Sequence, residues 1–152
     1  MANRTRTPCV GICSTTYGDD VCRGCKRFSF EVINWNAFKP EERESVWKRL
    51  EKLKSQIMAS RLKIFDPKKL EDSIKHFQLK IKDDLNDFSK AFEVIKQVSE
   101  SFSNLDEFGI DVFEKNKSLT VLKEEIENEL YSLSKAHYEK YFIEPLNRNK
   151  TM

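Results

Sequence analysis

The chain has 152 residues, 34% of them charged, with four glycines, four prolines, eleven phenylalanines and a net charge of +2. That is enough chain for one domain, or for a small module with an extension, and the composition is that of a helix-rich folded protein rather than a disordered tail. No apolar run approaches the roughly 18 residues of a membrane span, and "MANRTRTPC" has basic residues with no apolar stretch behind them, so a cytoplasmic protein with reduced thiols is expected.

The first 27 residues hold every cysteine (Cys9, Cys13, Cys22 and Cys25), three of the four glycines (Gly11, Gly18 and Gly24) and Pro8. "TTYGDD", between the two thiol pairs, reads as a turn. Ser29 is placed to cap a short helix, "FEVINWNAF", with Val32, Ile33 and Trp35 as its apolar residues. Pro40 suits a first helical position, and Glu41 and Glu42 fall in a first turn that favours acids. The helix that follows is expected to reach about Ile64, with Val46, Trp47, Leu50, Leu53, Ile57 and Met58 on its apolar face.

Asp66 and Pro67 form the next start signal. Beyond them Leu70, Ile74, Phe77, Ile81, Leu85, Phe88, Phe92, Ile95 and Phe102 recur in steps of threes and fours, which predicts one amphipathic helix of about ten turns. Gly109 is the expected pivot. A last helix from about Ser118 carries Leu119, Leu122, Ile126, Leu130, Leu133 and Tyr141 and stops before Pro145. No stretch alternates with a period of two, so no sheet is expected. The predicted fold is therefore mostly α, with a four-cysteine module and two helices over 1–64, then an antiparallel, coiled-coil-like helical hairpin over 65–152. The hairpin's first arm is longer than its second, so part of its apolar stripe should be exposed and available to a second copy or to another protein.

The thiol spacing carries the chemistry. Three residues separate Cys9 from Cys13, eight lie between the pairs, and two separate Cys22 from Cys25. "CRGC" is a tight turn in which Gly24 lets backbone N–H groups point back at a sulfur, and two thiolates brought to one ion need that arrangement. Arg23, Lys26 and Arg27 flank the second pair and would help balance four thiolates. A disulfide framework fits poorly without an export signal, and a thioredoxin-type CxxC calls for a strand that is not readable here. One metal centre on Cys9, Cys13, Cys22 and Cys25 is the expectation. The spacing suits a zinc ion and does not exclude an Fe–S cluster.

The stretch "TPCVGIC…DVCRGCKRFSFEVINWNAFKPEER" resembles a bacterial family of small proteins with a domain of unknown function, often described as predicted Fe–S proteins. The matching positions are Pro8, Cys9, Cys13, Cys22, Gly24, Cys25, Arg27, Glu31, Val32 or Ile33, Trp35, Glu42 and Arg43, within residues 7 to about 55. The resemblance implies a metal-bound cysteine head and no substrate. It brings an Fe–S cluster level with zinc.

Other residues point mostly to structure. Trp35 and Trp47 suit a small core as well as a binding face. Arg27 and Arg43 could meet phosphate, hydrogen-bond the metal loop, or pair with Glu31 and Glu42. His76 and His137 are lone histidines on the two hairpin arms. The acids of "KEEIENE" lack the Glu-x-x-His of a di-iron site and are expected to face solvent. No Ser-His-Asp set, phosphate loop or dinucleotide fingerprint is present. Residues 1–65 hold 13 Lys/Arg against 7 Asp/Glu, a net +6, and residues 66–152 hold 14 against 18, a net −4. The reading is a non-catalytic, metal-binding adaptor that docks a protein or itself through the hairpin. The alternatives are a nucleic-acid-binding knuckle using the basic head, or an Fe–S electron-transfer protein.

Overall fold

Capping and turn chemistry decide where each helix begins and ends. A computed structural model describes residues 7–9 and 13–143. The expectations for Gly11 and for a stop before Pro145 lie outside the described residues. Helix α1 (Ser29–Asn34) starts where the Phe28 N–H reaches the Glu31 carboxylate, at 2.8 Å. Ser29, the expected cap, is thus the first helical residue. After a 3-10 turn (Trp35–Ala37), α2 (Pro40–Arg61) opens at the expected proline, and Glu42 Oε1 accepts the Lys39 N–H at 3.0 Å. It ends at Arg61 rather than Ile64, because Leu62–Ile64 forms strand β1.

The expected ten-turn helix is two helices. Asp66 accepts the Lys69 N–H and Pro67 fills the first position of α3 (Pro67–His76). At its end Gln78 adopts a left-handed φ of +54°, and the Leu79 N–H bonds back to the Ile74 carbonyl at 3.0 Å. Asn86 then opens α4 (Asp87–Val98), its Oδ1 accepting the Ser89 N–H at 2.8 Å. The apolar spacing runs through the break because Phe77, Ile81 and Leu85 stay half-buried without being helical. A helical period was therefore real in the burial and false for the backbone.

Gly109 is not the pivot of a hairpin either. It closes a 3-10 turn (Asp106–Phe108) with φ +69° and leads into β2 (Ile110–Val112). β2 pairs antiparallel with β1, Leu62 opposite Val112 and Ile64 opposite Ile110. Three-residue strands are too short to show alternation in sequence, so this small sheet was not expected. Helix α5 (Leu119–Tyr138) follows, with Ser118 Oγ accepting the Val121 N–H, and a π-helical turn continues to Ile143.

The chain divides into two compact units, one from residues up to Leu50 and from Glu129 onward, the other Glu51–Asn128. The boundary expected from the sequence was 64/65. The end of α5 joins the cysteine segment, and the second half of α2 joins the helices that follow it. In the second unit α2 closes over the others: Lys54 lies over the Phe92 ring at 4.9 Å, Glu51 and Ser55 meet Asn86, and Arg61 pairs with Glu125 at 3.0 Å. Leu53, Ile57, Phe92, Ile95, Leu122 and Ile126 are buried there. Phe77, Phe102 and Phe108 form an aromatic cluster with centroids 5.2 to 5.5 Å apart.

The expected exposed stripe is consequently absent. Leu70, Ile74, Phe92 and Ile95 are buried, and Phe77, Ile81, Leu85 and Phe88 are half-buried. The large exposed apolar residues are others, among them Tyr17, Ile33, Phe65 and Phe113. Among the described residues no helix is long and apolar enough to cross a membrane.

Gly109 gives a direct test. Its carbonyl accepts N–H groups from Phe65 (2.9 Å) and Asp66 (3.3 Å), and a Cβ there would collide with the Asp66 carbonyl oxygen. With its positive φ, Gly109→Ala should lower unfolding free energy by more than about 1 kcal/mol in urea titration.

Candidate metal centre

A short antiparallel hairpin presents the second cysteine pair. Val21 and Phe28 form a β-bridge, the Ser29 N–H donates to the Asp20 carbonyl (2.7 Å), and the Cys22 N–H donates to the Arg27 carbonyl (2.9 Å). The tip closes through the Lys26 N–H, which bonds to the Cys22 carbonyl at 2.8 Å. Sequence reasoning placed the special backbone at Gly24. The left-handed residue is instead Lys26, with φ +67°. An L-residue there costs about 1–2 kcal/mol, so its surroundings must hold it. They do: Lys26 is 1% exposed and its ammonium donates to the carbonyls of Arg23 and Gly24.

Cys22 and Cys25 are buried, Cys13 half-buried and Cys9 exposed, and no disulfide joins them. Burial pushes the Cys22 thiol up, but N–H groups of Cys25, Ser14 and Gly24, together with the Cys25 side chain, outweigh it and bring Cys22 down to about 7. Cys13 is lowered first by the Thr15 hydroxyl, 2.9 Å from its sulfur, against some burial. Cys13 and Cys22 each lie within reach of the other's field. Burial dominates at Cys25 and raises it, although the Arg27 Nε donates to its sulfur at 3.2 Å.

The first pair is tied to the second through Ser14, whose hydroxyl accepts the Arg23 N–H at 2.8 Å, at the start of the 3-10 turn Ser14–Tyr17. The structure thus gathers Cys22 and Cys25, and brings Cys13 near. Cys9 is exposed, and residues 10–12 between it and Cys13 are not described. Among the described residues no group of three or more His, Cys, Asp or Glu side chains is drawn close enough to hold an ion. The donor chemistry nevertheless fits a thiolate-bound metal: N–H groups converge on Cys22, and a guanidinium faces Cys25.

The flanking candidates separate by role. Arg23 is exposed, bonded to Asp19 and stacked over Tyr131 at 4.6 Å. Arg27 is buried (3% exposed) and Trp35 is buried. Arg43 donates to the carbonyls of Trp35 (3.0 Å) and Asn36 (3.1 Å), closing the turn after α1. Lys26 and Arg27 are therefore turned inward and offer no face to phosphate.

Phe28 anchors this hairpin and was missed in the sequence, where nothing distinguishes it from ten other phenylalanines. It is 1% exposed, with Tyr138 at 5.1 Å, His137 at 6.4 Å and the Arg49 guanidinium 4.0 Å from its ring. His137 is thus a packing residue that also faces Tyr141. Arg49 in turn grips Glu31 in a bidentate pair at 2.6 and 2.7 Å.

Residues 7–54 match the family model described as "Protein of unknown function (DUF1289)". The match covers the same third of the chain as the resemblance carried by the cysteines, Arg27, Trp35 and Arg43. No curated protein and no solved structure matches the chain.

Glu31 also accepts the Phe28 N–H, so one buried carboxylate holds two elements. Glu31→Ala should cost about 3–5 kcal/mol by thermal or urea unfolding, because it strands the Arg49 guanidinium.

Proposed function

We propose that this chain is a non-catalytic metal-binding protein in which Cys9, Cys13, Cys22 and Cys25 hold one metal centre, a zinc ion or an Fe–S cluster. The observation that supports this reading best is the set of three backbone N–H groups turned on the Cys22 sulfur, which stabilises a thiolate before any ion is present. Metal bound there would supply the free energy that a loop of this length lacks, since its own apolar burial is small. The centre's role is then structural. It fixes the hairpin that carries Phe28, and the fixed head acts as an adaptor, with Tyr17 in the cysteine segment and Ile33 on α1 exposed (89% and 78%) and available to a protein partner.

Metal analysis with a UV–visible spectrum of anaerobically prepared protein tests the reading and separates the two metals. One equivalent of zinc with no visible absorption identifies the ion, and broad absorption near 400 nm with iron and sulfide identifies a cluster. Cys22→Ser and Cys25→Ser should each lose the metal, and unchanged stoichiometry in both would sink the four-thiolate site.

Removing the metal with a chelator should do more than loosen the cysteine segment. Phe28 holds His137 and Tyr138, so hydrogen exchange should accelerate at residues 129–138 as well as 13–28. Residues 51–128 should keep their protection. Loss confined to residues 13–28 would show that the Phe28 packing does not depend on the metal.

A further inference from the structure

Arg27 is an unusual residue to bury. Its side chain is 3% exposed, and among the described residues no carboxylate pairs with it. Its Nε donates to the Cys25 sulfur at 3.2 Å, and its guanidinium lies over the Trp35 ring, 4.9 Å from the centroid. Trp35 is held in turn, since Arg43 donates to its carbonyl at 3.0 Å and lies over its ring at 5.8 Å. A neutral thiol is a weak acceptor for a buried guanidinium N–H. A thiolate in a metal centre is strong compensation, because a charge-assisted N–H bond to it recovers what desolvation costs.

We propose that Arg27 is a positioning residue of the metal centre. Its guanidinium, set between the Cys25 sulfur and the Trp35 ring, offsets the negative charge that thiolates bring when metal binds. The inference rests on the four-thiolate reading above and goes beyond it, by assigning to one residue a share of the metal affinity. It also predicts opposite effects in the two states. With metal bound, Arg27 is matched. Without metal, the guanidinium stays buried with no metal centre to offset, and replacing it by an apolar residue of similar length removes a desolvation cost.

The test uses zinc(II) as the probe and the full-length chain, with affinity read by competition against a chromophoric chelator. Denaturation midpoints are measured with zinc and with excess chelator. Arg27→Met should bind zinc about 10–100-fold more weakly, the usual effect of losing a group that supports a metal ligand. Its midpoint should fall in the zinc-bound state and stay level or rise in the chelated state. Arg27→Lys keeps the charge but loses the planar fork, so its affinity should lie between Met and wild type. A midpoint that falls equally with and without zinc, at unchanged affinity, would overturn the proposal and make Arg27 a packing residue. An Arg27→Lys variant that binds zinc about 100-fold more weakly than wild type would overturn the charge argument, and serves as the test if Met does not fold. A wild-type chain that binds no zinc and carries no cluster would instead remove the four-thiolate reading itself.

Discussion

The cysteine segment cannot hold its shape by apolar burial of its own, and that shortage organises the first unit. The segment offers one large apolar side chain that is wholly buried, Phe28, at the foot of the hairpin whose tip carries Cys22 and Cys25. Everything nearby converges on that ring. Arg49 from α2 covers it, Tyr138 and His137 from α5 pack against it, and its own N–H is bound by Glu31. The Glu31–Arg49 pair then locks α1 to α2 at the same point. The hairpin that carries the Cys22 and Cys25 sulfurs is thus held by residues more than a hundred places away in the chain.

Within the hairpin, hydrogen-bond donors gather around the sulfurs. Three N–H groups converge on Cys22, a hydroxyl meets Cys13 and a guanidinium faces Cys25. The strained Lys26 backbone is part of that arrangement, since it turns the chain so that the N–H of Lys26 closes the loop on the Cys22 carbonyl. Its buried ammonium satisfies two carbonyls that the tight turn would otherwise strand.

The second unit shows a different logic. Its helices α3 and α4 are short and capped, and it is held by an aromatic cluster around the buried Phe108 and by a two-stranded sheet at the Gly109–Asp66 contact. Ser73 Oγ donates to the Glu107 carbonyl and Lys90 pairs with Glu71, so polar contacts fasten α3 on two sides.

Several features were determined by the sequence alone, because their causes are local. The thiol spacing marked the metal-ligand candidates, Asp66 and Pro67 started α3, Pro40 started α2, and helical character followed from the apolar period. Tertiary structure decided the rest. Burial has the same spacing whether a segment is a helix or a loop tucked against one, so residues 77–86 read as helix. Three-residue strands leave no pattern, so β1 and β2 were invisible. The partners of Phe28, Arg27 and Glu31 are side chains that only folding brings near. The end of α5 joined the cysteine segment because a buried ring needed covering, and no property of residues 129–138 taken by themselves announces which ring that would be.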